Sequence, residues 1–176
     1  MIDIVPFSPE HAAGVVDVIV PIQQAEGVYV TLDDQPDLKD IPGFYQRGGG
    51  NFWVALDGPE VVGTISLVDI GERMGALRKM FVRKPYRGPR TDVAVPGALP
   101  GDAPASLAHA LLRTLLDWAG SRDIRDIYLG TTPLYHAAHR FYAKHGFTRI
   151  EKDELPPNFP VMVVDTVFFR RAPDAR

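Results

Sequence analysis

The sequence predicts one domain of mixed α+β (α/β) class, a central twisted, mostly antiparallel sheet of about six to seven strands flanked by about four helices. Three observations predict it. The runs follow the order strand, helices, three strands, helix, strand, helix, two strands, which one sheet with helices packed on it accommodates. Hydrophobic residues make up 45% of the 176, enough to fill a single sizeable core. Neither an internal repeat nor a linker long enough to divide the chain is present, so residues 1–176 read as one domain.

IDIVPF alternates and ends at Pro6, a first strand. SPEH opens a helix with Ser8 at the cap, Pro9 at the first helical position and Glu10 in the first turn. Ala12, Val15, Val16, Ile19 and Val20 give that helix an apolar face, and Pro21 is expected to kink or interrupt it. Leu38 to Tyr45 suits a short second helix. RGGGN is a turn. FWVALDG and EVVGTISLVDI form a hairpin about Asp57-Gly58-Pro59, and GALRKMFVR is a further strand. SLAHALLRTLLDWAGSR is the strongest helix, its leucines recurring at helical spacing. DIYLGT reads as a short buried strand and PLYHAAHRFYAKHG as a helix closed by Gly146. FTRIEKDEL and VMVVDTVFFRR read as two last strands joined by the rigid PPNFP. The strand–helix–strand portion should contain a parallel pair.

Charge and composition exclude several functions. The net charge of -3 lacks the basic surplus of a nucleic-acid binder. The chain has no cysteine, which removes disulfides, thiolate zinc sites and a cysteine nucleophile. No apolar run reaches the roughly 18–20 residues a membrane span needs. MIDIVPFSPEH has no basic-then-apolar leader pattern, so a soluble cytoplasmic protein is expected. His136 and His139 are three apart on one helix, but without a third ligand no metal site is expected.

LRKMFVRKPYRG, then ALLRTLLDWA, then IYLGTT, then AAHRFYAKHGF, in that order, resemble the core of a GNAT-type N-acetyltransferase. The likeness is close over residues 77–150, and FWVALDGPEVVGTISL resembles the family's central hairpin. It implies that the strand around Lys79–Arg83 splays from the one around Tyr128–Thr131, leaving main-chain groups of Met80, Phe81 and Val82 to pair with the pantetheine arm of acetyl-CoA. The family then turns through Arg/Gln-x-x-Gly-x-Gly/Ala into a helix whose N-terminal N–H groups hold the pyrophosphate. Here Arg87 and Gly88 match its start, and Ser106, Leu107 and Ala108 match its end. Between them lie sixteen extra residues, Pro89 to Pro104, with four prolines and two glycines. Such a loop should leave the fold intact, but Asp102 stands where it could occupy the N–H groups that phosphate needs. Arg83, Lys84, Arg87, Arg90 and Arg113 are the cations at hand.

The same resemblance makes Tyr142 the general acid for the departing thiolate and puts Tyr135 where an Asn commonly contacts cofactor. Many relatives carry a catalytic Glu where this chain has Ala76, so the base stays open among Glu72, Glu26, Asp33 and Asp34, residue types that more often are solvated surface charges. Glu26, Tyr29, Phe44, Tyr45 and Phe159 are candidates for the acceptor pocket. With Asp33, Asp34, Asp37 and Asp40 nearby, a small cationic amine is favoured over an acidic acceptor. The expected reaction is acetyl transfer from acetyl-CoA to a primary amine of a small molecule or peptide, by direct attack in a ternary complex and without a metal. The competing reading is a non-catalytic acyl-CoA-binding or regulatory module with a degenerate phosphate loop. Protein N-terminal acetylation, which calls for a groove, also stays open, as does a homodimer.

Overall fold

The computed structural model describes residues 1–97 and 105–172. The seven strands are β1 (Ile2–Pro6), β2 (Asn51–Asp57), β3 (Glu60–Gly71), β4 (Met74–Val82), β5 (Asp126–Thr131), β6 (Thr148–Ile150) and β7 (Val167–Arg171), in spatial order β1-β2-β3-β4-β5-β7-β6. Only β4 and β5 run parallel. Helix α1 (Ala12–Ala25) and the one-turn helices α2 (Pro36–Lys39) and α3 (Ile41–Tyr45) precede β2. The longest, α4 (Leu107–Ser121), joins β4 to β5, and α5 (His136–Lys144) follows β5.

Strand β2 shows how the layers arise. Alternate residues of a strand point to opposite faces. Trp53 and Ala55 join the cluster built on α4, whereas Phe52 and Val54 join the cluster built on α1. Both faces are therefore covered, which is why FWVA is apolar throughout instead of alternating. Leu107, Leu111, Leu112 and Leu115 of α4 are all but fully buried, each worth roughly 2 kcal/mol of apolar burial.

Two expectations about element ends are corrected. Pro21 neither ends nor splits α1, which continues through it to Ala25. Pro21 and Asp17, whose carbonyl it leaves unpaired, are both exposed, so water can take that carbonyl. The last two strands are much shorter than their apolar runs. Beyond Ile150 the chain enters a 3-10 turn at Lys152–Glu154, and residues 161–166 form a loop before β7 begins at Val167. The pair Thr131↔Val167 is the last rung between β5 and β7, so the preceding residues have no strand to join.

The decisive feature is where β4 and β5 part. They pair only through Met74↔Asp126, Gly75↔Ile127 and Ala76↔Tyr128. Beyond that point β4 runs on to Val82 and β5 to Thr131 without contact rungs between them. A bulge in β4 accompanies the split. Thr64 faces Phe81 and Ser66 faces Arg78, so Lys79 and Met80 together oppose one residue of β3, and Lys79 takes φ 54. A bulge bends its strand and increases the twist. The Thr64 and Ser66 hydroxyls donate to the carbonyls of Lys79 and Arg78, each at 2.7 Å, and so stabilise the distortion. Among the described residues, no helix is long and apolar enough to cross a membrane.

Candidate active site

The wedge between the parted strands holds two adjoining cavities. One, of about 530 Å³, is lined by Met80, Phe81, Val82, Gly88, Ser106 and Ala108 together with the first turns of α5. The other, of about 450 Å³, is lined by Arg78, Lys79, Gln35, Thr131 and the 162–165 loop among others. Met80, Phe81, Tyr135, Ala138 and Tyr142 belong to both and mark where they meet.

The first cavity offers main-chain groups. An exposed strand edge suits an extended, strand-like ligand, and here that edge is the part of β4 that β5 abandons. At its far end stand Gly88 and the start of α4. Gly88 takes φ 92 with open space where a side chain would be. The first N–H groups of a helix have no intrahelical partner. Ser106 accepts that of His109 at 3.1 Å, and the antiparallel bridge of Pro89 with Ser106, which proline can close only through its neighbours, turns that of Leu107 to the Gly88 carbonyl, which leaves the N–H group of Ala108 for an anion. The Leu107 side chain is fully buried in the core.

The interrupted motif is closed again at the base of the insertion. Pro89 forms an antiparallel bridge with Ser106, and Arg90 N–H donates to the Ala105 carbonyl at 2.8 Å. The described residues of the insertion then leave the cleft. Ile2 N–H donates to the Asp92 carbonyl at 2.8 Å, and Val93 packs on the core beside β1. None of residues 89–97 lines either cavity. The expectation for Asp102 lies outside the described residues. Of the cations, Arg90 is held by Asp92 at 2.6 Å, Arg83 by Glu60 at 3.6 Å and Arg113 by Asp117 at 3.1 Å. Arg87 lines the cleft, half exposed, with Glu26 3.7 Å away. Glu26 thus lines the first cavity and not the second.

Tyr142 occupies the junction. Its ring is buried against Phe147 and Phe169, and its hydroxyl donates to the Met80 sulfur at 3.6 Å. A thioether is a weak acceptor, so the proton is not committed elsewhere. Burial, with the charge of Asp165 adding to it, pushes the phenol well above its ordinary value and keeps it protonated at neutral pH. Tyr135 stands edge-on to Phe81 and is likewise pushed up by burial, to about 12.

The second cavity is built from side chains of distant segments. Asp37 is buried and accepts from the Tyr45 hydroxyl; Lys79 Nζ lies 3.4 Å and Arg78 Nη2 3.9 Å from its Oδ2. Lys79 also donates to Gln35 at 2.5 Å, and Gln35 exchanges two hydrogen bonds with Gln23. Burial holds Lys79 below its ordinary value against the pull of Asp37. On the opposite wall, Asp165 lies over Gly130, where a Cβ would come 2.7 Å from its Oδ2. Burial raises its carboxyl to about 6, although Arg78 and Lys79 act against that.

Several sequence candidates lie elsewhere. Glu72 is exposed in the β3–β4 turn with φ 52, at the end of β4 remote from the wedge, and lines neither cavity. Tyr45 is fully buried and holds Asp37 from behind the cavity wall. Phe159 packs with Ala76, Tyr128 and Phe168 in a third cluster. Tyr29 lines the second cavity, at its exposed rim. Of the four aspartates expected to make the pocket acidic, Asp33 pairs with Lys39, Asp40 caps α3 and Asp37 is neutralised by its cations. Asp34 alone lines the cavity, its Oδ2 taken by Thr31. Asp165 was missed by sequence reasoning. Its one signal is an acidic residue set inside the apolar run VMVVDTVFF.

The acetyltransferase (GNAT) family model matches residues 19–89 and 106–147, breaking where the insertion lies. An N-acetylaspartate synthetase of Xenopus tropicalis is 30% identical over 138 residues, 76% of this chain and 45% of its own length. The chain spans about half the length of the curated relatives it matches. A GNAT-family acetyltransferase of Staphylococcus aureus Mu50 superposes with a TM-score of 0.86 at 32% identity, covering 98% of this chain and 99% of that one. An N-acetyltransferase of Thermoplasma acidophilum, solved in complex with coenzyme A, shares the fold with a TM-score of 0.67 at 14% identity, covering 98% and 99% of the two chains. The chain belongs to the acetyltransferase (GNAT) family.

Proposed function

From that membership we propose that this protein is an N-acetyltransferase that moves an acetyl group from acetyl-CoA to a primary amine by direct attack in a ternary complex. The observation that carries this reading is the meeting of two cavities at Tyr142, between strands that part after Ala76. Acetyl-CoA fits the main-chain side. The β4 edge at Met80–Val82 suits the pantetheine arm, and Gly88 with the start of α4 suits the pyrophosphate, with Arg87 beside it. The acceptor amine occupies the side lined by Asp165.

The chemistry needs a neutral amine and a protonated leaving thiolate. Asp165 takes a proton from the ammonium. The amine nitrogen attacks the thioester carbonyl, the C–N bond forms and the C–S bond breaks. Tyr142 gives its proton to the departing sulfur and is restored by the second proton, which the acylated nitrogen loses, while Asp165 returns its own to water. Asp165 supplies, from the edge of β7, the carboxylate that the position of Ala76 lacks.

Calorimetric titration with acetyl-CoA, free CoA and dephospho-CoA, followed by thiol release over a panel of amines, tests the reading. Micromolar binding with amine-dependent thiol release is expected. Binding without release for any amine would favour the non-catalytic acyl-CoA module, and no binding at millimolar concentration would remove CoA from the account.

A further inference from the structure

The charges of the acceptor cavity are arranged in an unusual way. Successive strand residues normally point to opposite faces. The bulge at Lys79 breaks that rule and brings Arg78 and Lys79 to the same cavity and the same carboxylate. Asp37 therefore serves two cations and a phenol. Lys79 is otherwise completed by Gln35. Arg78 is not completed in this way. Its guanidinium carries five N–H donors, its side chain is only 12% exposed, and its one hydrogen bond among the described residues goes to the Met162 sulfur at 2.7 Å. The faces of Phe44 and Tyr45 lie beneath it at 5.8 and 5.9 Å, which fixes its plane without using its donors.

Asp165 lines the same cavity from the loop before β7. It interacts electrostatically with Arg78 and Lys79 but forms no ion pair with either within 4.0 Å. The cavity thus presents a cation with unmet donors at one place and a carboxylate at another, the latter near enough to Tyr135 and Tyr142 to be felt by both. A ligand that answers both is itself zwitterionic, and 450 Å³ is ample for a small molecule.

We propose that the acceptor is an aminocarboxylate, a free amino acid or close analogue, whose carboxylate is bound by Arg78 while its amine lies against Asp165 beside Tyr142. This rests on the N-acetyltransferase reading and narrows it: a plain cationic amine leaves Arg78 unanswered. A bidentate guanidinium–carboxylate pair gives orientation as well as affinity. It would turn the amine toward the junction of the cavities.

The test compares each of the common amino acids with its carboxamide, measuring thiol release from acetyl-CoA by the full chain. The carboxamide has the less basic amine and is the better nucleophile near neutral pH, so a preference for the acid runs against intrinsic reactivity. For at least one amino acid we expect kcat/KM at least ten-fold above its amide, with the ratio falling to near one in Arg78→Gln. Equal or better turnover of every amide by the unaltered protein overturns the proposal and leaves N-acetyl transfer standing. That ratio needs no variant, so a misfolded Arg78→Gln does not spoil the test. If acetyl-CoA binds and no amine is acetylated, the N-acetyltransferase reading fails instead. The inference is then decided by titrating the CoA-loaded protein with N-acetyl amino acids and their amides. Tighter binding of the acids upholds the carboxylate site, and no preference overturns it.

Discussion

The two cavities that meet at Tyr142 are made in opposite ways. The proposed cofactor side centres on a strand edge, a glycine and a helix start within residues 80–108, closed over by Ile22 and Glu26 from the end of α1 and by α5 with the residues before it. The acceptor side assembles Gln23, Gln35, Asp37, Arg78, Lys79 and Asp165, drawn from four segments spread over most of the chain. Main-chain recognition tolerates side-chain change, so one cleft can keep its ligand while the other is rebuilt. The insertion makes the same point. Sixteen residues separate Arg87-Gly88 from Ala105-Ser106, yet the Pro89–Ser106 bridge rejoins the two sides and Asp92 and Val93 lie against the edge of β1.

The largest effects should come from the groups at the junction. Asp165→Asn is expected to lower kcat/KM by about 10²–10³-fold above pH 7, with acetyl-CoA affinity changed little. In the unaltered protein the carboxyl is raised to about 6, so it is protonated below that pH and able to accept a proton above it. kcat/KM should therefore rise with pH through a midpoint near 6, and the Asp165→Asn profile should lack that limb. An unchanged limb would assign the titration to another group. Tyr142→Phe removes a hydroxyl whose only protein partner among the described residues is the Met80 sulfur. It should lower kcat by roughly 10²-fold with acetyl-CoA affinity within a few-fold, because the lost interaction belongs to the transition state.

A middle-sized effect should separate the two sides. Gly88→Ala places a side chain at φ 92, a strain of about 1–2 kcal/mol. The turn should relax away from that geometry and weaken acetyl-CoA binding by roughly ten-fold, leaving the acceptor KM unaltered. A change confined to the acceptor KM would contradict the assignment of Gly88 to the cofactor side. The smallest effect is expected where the insertion is largest. Replacing residues 91–104 by Asn-Gly, a natural two-residue hairpin turn on the Arg90–Ala105 pair, should keep acetyl-CoA affinity within three-fold. Thermal unfolding should fall by a few degrees, since the Ile2–Asp92 and Val93 contacts are lost. Loss of binding in the folded replacement would show that the insertion contributes to the site.

Much of this molecule can be read from short stretches of sequence. The leucine spacing of α4, the hairpin of β2 and β3, and the Arg87-Gly88 turn each depend on contacts within a few residues, and pattern reports such contacts well. Tyr142 was singled out because its local phrase, FYAKHGF, resembles the family's. Glu72 was considered because it is close in sequence to β4, but the strand carries it to the far end, away from the wedge. The acidic character expected from Asp33, Asp34, Asp37 and Asp40 is reduced in the cavity, because Asp33 and Asp37 are paired with cations and of the four only Asp34 lines it.

By itself, then, the sequence determined the order of elements and the leucine stripe of α4, which local periodicity and short-range chemistry set, and its motifs carried the resemblance to the family. Tertiary structure alone decided where β4 leaves β5, that a bulge puts Arg78 and Lys79 on one side, that Asp37 is spent on them, and that Asp165 arrives from the other end of the chain. Those are matters of which distant side chains share a low-dielectric space. Burial and charge pairing there depend on three-dimensional neighbours that spacing along a chain does not encode.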